Sequence, residues 1–310
     1  MTTHRATHAS IAVVFGAVTA LALSCACKPP ADPAYTARIE AWRAKRLAAL
    51  KADDGWLSVA GLYWLKPGEN RFGAGTANEI VLPGATTPEV AGAIDLRPDG
   101  TVVVRAIPGS GVTFQGKPAG ERPLRSDHAG ENPDILRVGS VSLYVIERGD
   151  RLAIRVKDAN NPTRRRFKGI ESFPIDPSYH VQGTFEPYPA PRRVTVATAQ
   201  GPTQTMLVPG LVRFSLAGRA LTLEPFVTSP EDPTFFFVFR DATAGSETYG
   251  AGRFLDASAP ARGSSTVVLD FNEATNPPCA LTPFATCPLP PQGNVLPIRI
   301  EAGERYSGRE

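Results

Sequence analysis

The chain has 310 residues, 42% hydrophobic and 20% charged, enough for a sizeable buried core and incompatible with a fully disordered polymer. Thirty prolines exclude an all-helical bundle. A formal net charge of +3 supplies no global field to recruit nucleic acid, and no nucleic-acid partner is expected.

Residues 1–24 read as a secretory signal peptide. Arg5 makes the start weakly basic, and the run Ile11 to Leu23 (IAVVFGAVTALAL) carries no charge. A helix of that run spans about 20 Å, short of the roughly 30 Å hydrocarbon core, so it reads as a signal rather than a permanent span. It ends in Ala22-Leu23-Ser24-Cys25, which resembles a bacterial lipobox. That resemblance implies lipidation of Cys25 as the first mature residue; Cys27 offers a second, poorer register. Ala26 does not supply the aspartate associated with inner-membrane retention. The expected location is the bacterial cell envelope, lipid-anchored and facing the periplasm. A soluble periplasmic protein is the alternative.

Residues 25–52 comprise anchor, tether and helix. Asp32 and Pro33 form a cap and first position for a helix over about Pro33 to Lys51. Tyr35, Ile39, Trp42, Arg43 and Arg46 recur on it at helical spacing. From Trp56 onward, short apolar runs alternate with Gly, Pro and Asn. They include EIVL (79–82), TVVVRAI (101–107), VSLYVIER (141–148), LAIRVKD (152–158) and RRVTVAT (192–198). LVRFSLA (211–217), ALTLEPF (220–226), TFFFVFRD (234–241), STVVLDF (265–271) and LPIRIEA (296–302) follow. Such spacing predicts a mainly β protein with one substantial helix. The basic run Arg164, Arg165, Arg166 and Lys168 reads as a solvated strand entrance.

Within residues 53–158, GENRFGAGTANEIVLP, VTFQGKPAGERPLRSD and ILRVGSVSLYVIERG resemble strands of forkhead-associated β-sandwiches. The resemblance implies a sandwich; the family's phosphothreonine-binding Ser and His are not recognisable after Leu82, and phosphopeptide binding is not carried over. Residues 159–310 are expected to form a second curved β-sheet or barrel. A continuous β structure across both halves is the competing reading.

The final third holds a distinctive pattern: Phe239-Arg240-Asp241-Ala242-Thr243, then Glu247 to Leu255 (ETYGAGRFL), Leu269 to Ala280 (LDFNEATNPPCA) and Ala285 to Pro291 (ATCPLPP). With Asn294, Ala302-Gly303-Glu304 and GWLSVAGLYWLKPGENRFG (55–73), it resembles the bacterial and archaeal family catalogued as domain of unknown function 1684. That family implies no reaction, cofactor or catalytic residue.

Read residue by residue, the same segment concentrates polar groups among apolar strands: Asp241, Glu247, Tyr249, Arg253, Asp270, Asn272, Asn276, Glu301 and Glu304. Brought to one mouth, they would bind a small polar ligand or perform acid–base chemistry. The structural alternative has Arg253 neutralising a buried carboxylate while the asparagines hold backbone. Cys279 and Cys287 are open to a disulfide, worth about 2.5 kcal/mol by loop closure, or to a thiol pair. Their spacing matches no zinc pattern, and neither metal nor cofactor is expected. His128 and His180 are the histidines beyond the leader; His128 reads as a surface residue and His180 as a strand residue or pocket member. The leading function is therefore an envelope lipoprotein binding a small polar ligand or an envelope partner. The alternatives are a carboxylate- or cysteine-dependent hydrolase or lyase, and a purely structural envelope protein.

Overall fold

Asp32 caps the first helix as expected. Its carboxylate accepts the Ala34 N–H at 3.0 Å, and Pro33 opens α1 (Pro33–Lys51). The structure is a computed structural model that describes residues 1–2, 32–84, 86–128 and 132–308; the apolar leader and Cys25 lie outside the described residues. After α1 the chain turns back across the helix end. A Cβ at Gly55 would stand 2.4 Å from the carbonyl oxygens of Ala49 and Leu50, so this crossing requires glycine.

Eleven strands follow. They are β1 (Val59–Trp64), β2 (Gly68–Gly73), β3 (Ile80–Val81), β4 (Gly92–Leu96), β5 (Val102–Ala106) and β6 (Thr113–Phe114). Then come β7 (Lys117–Pro118), β8 (Glu121–Leu124), β9 (Leu136–Val138), β10 (Val141–Arg148) and β11 (Arg151–Asp158). One sheet has the order β1-β11-β10-β9-β6-β7 and the other β3-β2-β4-β5-β8. All neighbours are antiparallel except β2 and β3. Phe72, Ile94 and Val104 from one sheet and Leu143, Val145, Ile154 and Val156 from the other share a single core. This is the sandwich expected for the first half.

The basic run does not enter a strand. Asn161 accepts the Thr163 N–H and Pro162 supplies the first turn, so the segment winds into α2 (Pro162–Arg166). The second half contains β12 (His180–Val196), β13 (Gln204–Leu216), β14 (Arg219–Leu223), β15 (Thr234–Phe239), β16 (Arg253–Ser258) and β17 (Thr266–Asp270). RRVTVAT is not a separate strand; it finishes β12, whose pairing with β13 shifts register between Pro187 and Arg192.

Sheet β14-β13-β12-β17 stays open, and no closed barrel forms among the described residues. The reason is that β15 and β16 pair with each other and bury Phe235, Phe237, Phe239 and Leu255 in the sheet's core instead of joining its edges. LPIRIEA alternates like a strand, with Leu296, Ile298, Ile300 and Ala302 buried, yet builds no ladder. Pro297 lacks an N–H, and the Ile300 and Ala302 carbonyls are occupied by Arg253. The predominance of β structure agrees with the strand pattern. No described helix is long and apolar enough to cross a membrane.

Candidate functional site

Three polar networks form where α1 and the C-terminal segment meet the second sheet. The deepest is built on Arg253, the first residue of β16. Gly252 precedes it with φ +100°, and a Cβ there would lie 2.5 Å from the Phe239 carbonyl oxygen, so glycine lets β16 begin against β15. Arg253 Nη2 donates to Asp241 Oδ1 at 3.2 Å and to the Ile300 carbonyl at 2.9 Å, while Nη1 donates to the Ala302 carbonyl at 2.5 Å. Asp241 also accepts from Thr243 Oγ1 at 2.8 Å and from the Ile300 N–H at 2.7 Å. Thr243 and Thr248 hydroxyls meet at 2.9 Å. Burial pushes the guanidinium pKa below its ordinary value and Asp241 opposes the shift. Arg253 has 0% exposure and the Asp241 side chain 1%, so this network offers almost no surface to a ligand.

The second network joins Arg46 to Glu304. Arg46 Nε donates to Glu304 Oε1 at 3.2 Å and Nη2 to the Asn276 carbonyl at 3.1 Å. Glu304 Oε2 accepts the Asn276 N–H at 2.6 Å, and Asn276 Nδ2 donates to the Arg305 carbonyl. Burial raises the Glu304 carboxyl, and Arg46 pulls it back.

The third network reaches open space. Tyr35 donates its hydroxyl to Asp270 at 2.9 Å, and Arg38 spans two carboxylates, Asp270 Oδ2 and Glu273 Oε1, each at 2.5 Å. Asn272 Nδ2 donates to Asp270, to the Tyr35 oxygen and to the Asp176 carbonyl, which locks the turn after β17. Burial first, and Asp270 second, raise the Tyr35 phenol well above its ordinary value. Tyr35, Arg38 and Arg46 occupy positions i, i+3 and i+11, one stripe of α1.

Beside this network lies a cleft of about 450 Å³, lined by Arg38, His180, Thr234, Asp256, Ser258, Thr266, Asp270 and Glu273 among others. Its position follows from pairing. His180 stands opposite Asp270 between β12 and β17, and Thr234 opposite Ser258 between β15 and β16. On β16 the even positions Asp256 and Ser258 face outward while Leu255 and Ala257 are buried. Asp256 has no hydrogen bond or ion pair among the described residues. The protein mass around it raises its carboxyl above the ordinary value, with Arg46 opposing the shift from a distance, and burial likewise raises Glu273.

The candidate residues therefore divide. Asp270 and Asn272 border or support the cleft; Asp241, Arg253, Asn276 and Glu304 are buried structural ties. Glu247 pairs with Arg299 at the surface, and Glu301 pairs with Arg299 at 2.9 Å. Tyr249 packs edge-on against Tyr306 and donates to the Cys279 carbonyl at 3.3 Å. Cys279 and Cys287 are buried thiols that are not joined in a disulfide. His128 pairs with Glu147 on the sandwich. Arg38, Asp256 and Glu273 were absent from the sequence candidates. Outward alternation along RFLDAS marks Asp256, but nothing local connects Glu273 with an arginine on α1.

Residues 165–305 match the family described as protein of unknown function, DUF1684. An uncharacterized protein of Haloarcula marismortui, solved by solution NMR, is 34% identical over 46% of this chain and 80% of its own, with a TM-score of 0.40. No curated protein matches. The chain belongs to the DUF1684 family. The DUF1684 match takes in β12 to β17, both cysteines and every C-terminal member of the three networks. The α1 residues that complete those networks lie outside the matched range.

Proposed function

We propose that this protein is an envelope lipoprotein that captures a small polar ligand in the cleft between α1 and strands β12, β16 and β17. The observation that carries this reading is Asp256: a carboxylate without a partner among the described residues, held in a concave site of about 450 Å³. Asp270 and Glu273 are already engaged by Arg38, which leaves Asp256 as the free acceptor. The Thr234, Ser258 and Thr266 hydroxyls and the His180 ring add short-range hydrogen-bonding capacity around it. A ligand bearing an ammonium or several hydroxyl donors fits this lining. Lipidation at Cys25 would hold the cleft at the membrane surface, and the polar tether would let it face the periplasm.

Protein purified from its native cells should carry the ligand, and native mass spectrometry should show it. Thermal-shift measurements against amines, amino acids and small saccharides should show a rise that Asp256→Leu abolishes. A panel with no rise, together with no mass from native cells, would remove the reading.

The second reading is a carboxylate-dependent hydrolase or lyase, favoured by one observation. Two carboxyls in one cleft, Asp256 and Glu273, both have raised pKa values, a property suited to proton transfer. Turnover of a bound ligand, lost in Glu273→Gln, would decide for it.

A further inference from the structure

Two thiols between β17 and the C-terminal segment take no part in the three networks. Cys279 and Cys287 are each 5% exposed, and the Cys279 backbone N–H donates to Cys287 Sγ at 3.2 Å. Together with Ala285 they pack against Trp56, just before β1. Arg155 of β11 lies over that indole, its guanidinium carbon 4.9 Å from the ring centroid. The arginine is 3% exposed, and among the described residues its Nε and Nη2 have no hydrogen-bond partner and its guanidinium no ion pair. A buried guanidinium with unsatisfied donors and no paired carboxylate favours negative charge appearing beside it.

We propose that Cys279 and Cys287 are a disulfide-forming pair, and that buried Arg155 stabilises the thiolate that closes the bond. The Cys287 thiol is held protonated mainly by its hydrogen bond with Cys279 and also by burial, while Arg155 pulls the other way. The order of events follows. Cys279 releases its proton to water, and its thiolate attacks a small-molecule disulfide, forming a mixed disulfide and expelling one thiolate. With Cys279 capped, the interaction that kept Cys287 protonated is gone. Cys287 releases its proton to water, attacks Cys279 Sγ and expels the second thiolate. Two thiols are oxidised to one disulfide, and the small-molecule disulfide is reduced by two electrons to two thiolates, which take up the two protons released by the cysteines.

Closure would fasten a seam. Thr286, inside the loop, accepts from Arg148 of β10 at 3.2 Å, and its carbonyl accepts from Gln204 of β13 at 3.2 Å. The sandwich and the second sheet thus both hold the segment that the bond would close.

The test uses the full chain incubated with oxidised glutathione, quenched in acid, unfolded and alkylated. Trypsin releases residues 263–299 as one peptide containing both cysteines. The expected product is that peptide unalkylated and two hydrogens lighter than its reduced form. Cys287→Ser should stop at a glutathione adduct on Cys279. Arg155→Met should slow closure about threefold, the residue of a tenfold loss of thiolate after its gain in nucleophilicity, and Arg155→Lys should restore most of the rate. Wild-type peptide alkylated at both cysteines, or arrested as the glutathione adduct, would overturn the pair. Unchanged closure in a folded Arg155→Met protein would overturn the arginine's part, and the cysteine variants decide the pair even if Arg155→Met does not fold.

Discussion

Arg253 Nη2 meets Asp241 Oδ1 at 3.2 Å with neither side chain more than 1% exposed. The same guanidinium holds the carbonyls of Ile300 and Ala302, so a single ion pair fastens the C-terminal segment to the start of β16. Arg253→Ala would leave Asp241 buried and two carbonyls without donors. The expected loss is about 3–5 kcal/mol by urea unfolding. A loss under about 1 kcal/mol would show that the pair does not bear the segment.

Asp256 sets a pH dependence of definite sign. Its folded-state pKa is raised by the surrounding protein, so its stabilising contribution is full below the ordinary carboxylate value and is lost as pH rises through the raised one. Asp256→Asn removes that loss. The variant should melt above wild type near pH 8, with the gap narrowing toward pH 4, while ligand binding disappears. A wild type that is the more stable protein near pH 8 would contradict the assignment.

The α1 stripe should be energetically coupled to β17. Tyr35 and Asp270 lie 2.9 Å apart, and their hydrogen bond joins a phenol to a carboxylate. A double-mutant cycle of Tyr35→Phe and Asp270→Asn is expected to give a coupling of about 1–2 kcal/mol in chemical denaturation. Additive effects would mean that the Tyr35–Asp270 bond takes no part in holding α1.

Lipidation is tested in cells. A fatty-acid analogue should label the wild-type protein and fail to label Cys25→Ala. Labelling that persists in Cys25→Ala would move the modification to another residue.

Much of the fold was legible because its signals are local. Asp32-Pro33 announces a helix start, and the dense apolar runs in VSLYVIER and TFFFVFRD announce strands, buried here on both faces. LPIRIEA shows where this reasoning stops. Its alternation correctly marked Ile298, Ile300 and Ala302 as buried, but alternation reports burial, and only partners make a ladder. Here the partner of two carbonyls is a guanidinium. Asn294 is the converse case. Its side chain accepts the Glu224 N–H at 2.8 Å and donates to the Glu224 and Val238 carbonyls, standing in for a peptide between β14 and β15. An asparagine among prolines signals a held turn, without naming the strands it holds.

The candidate site divides along the same line. Composition and spacing by themselves determined that Asp241, Arg253, Asp270, Asn272 and Glu304 belong to polar clusters, because charged and amide groups among apolar strands must find partners. Which partners they take was decided by tertiary structure alone. Arg38 lies 232 residues from Asp270 in the chain, and the pair exists only because α1 packs beside β17. The same packing left Asp256 facing open space with no direct ion pair among the described residues, Arg46 acting on it only from a distance. Burial consumed Arg253 in structure, while Asp256 was left facing the cleft; long-range geometry, which no local pattern encodes, separates the tie from the binding group.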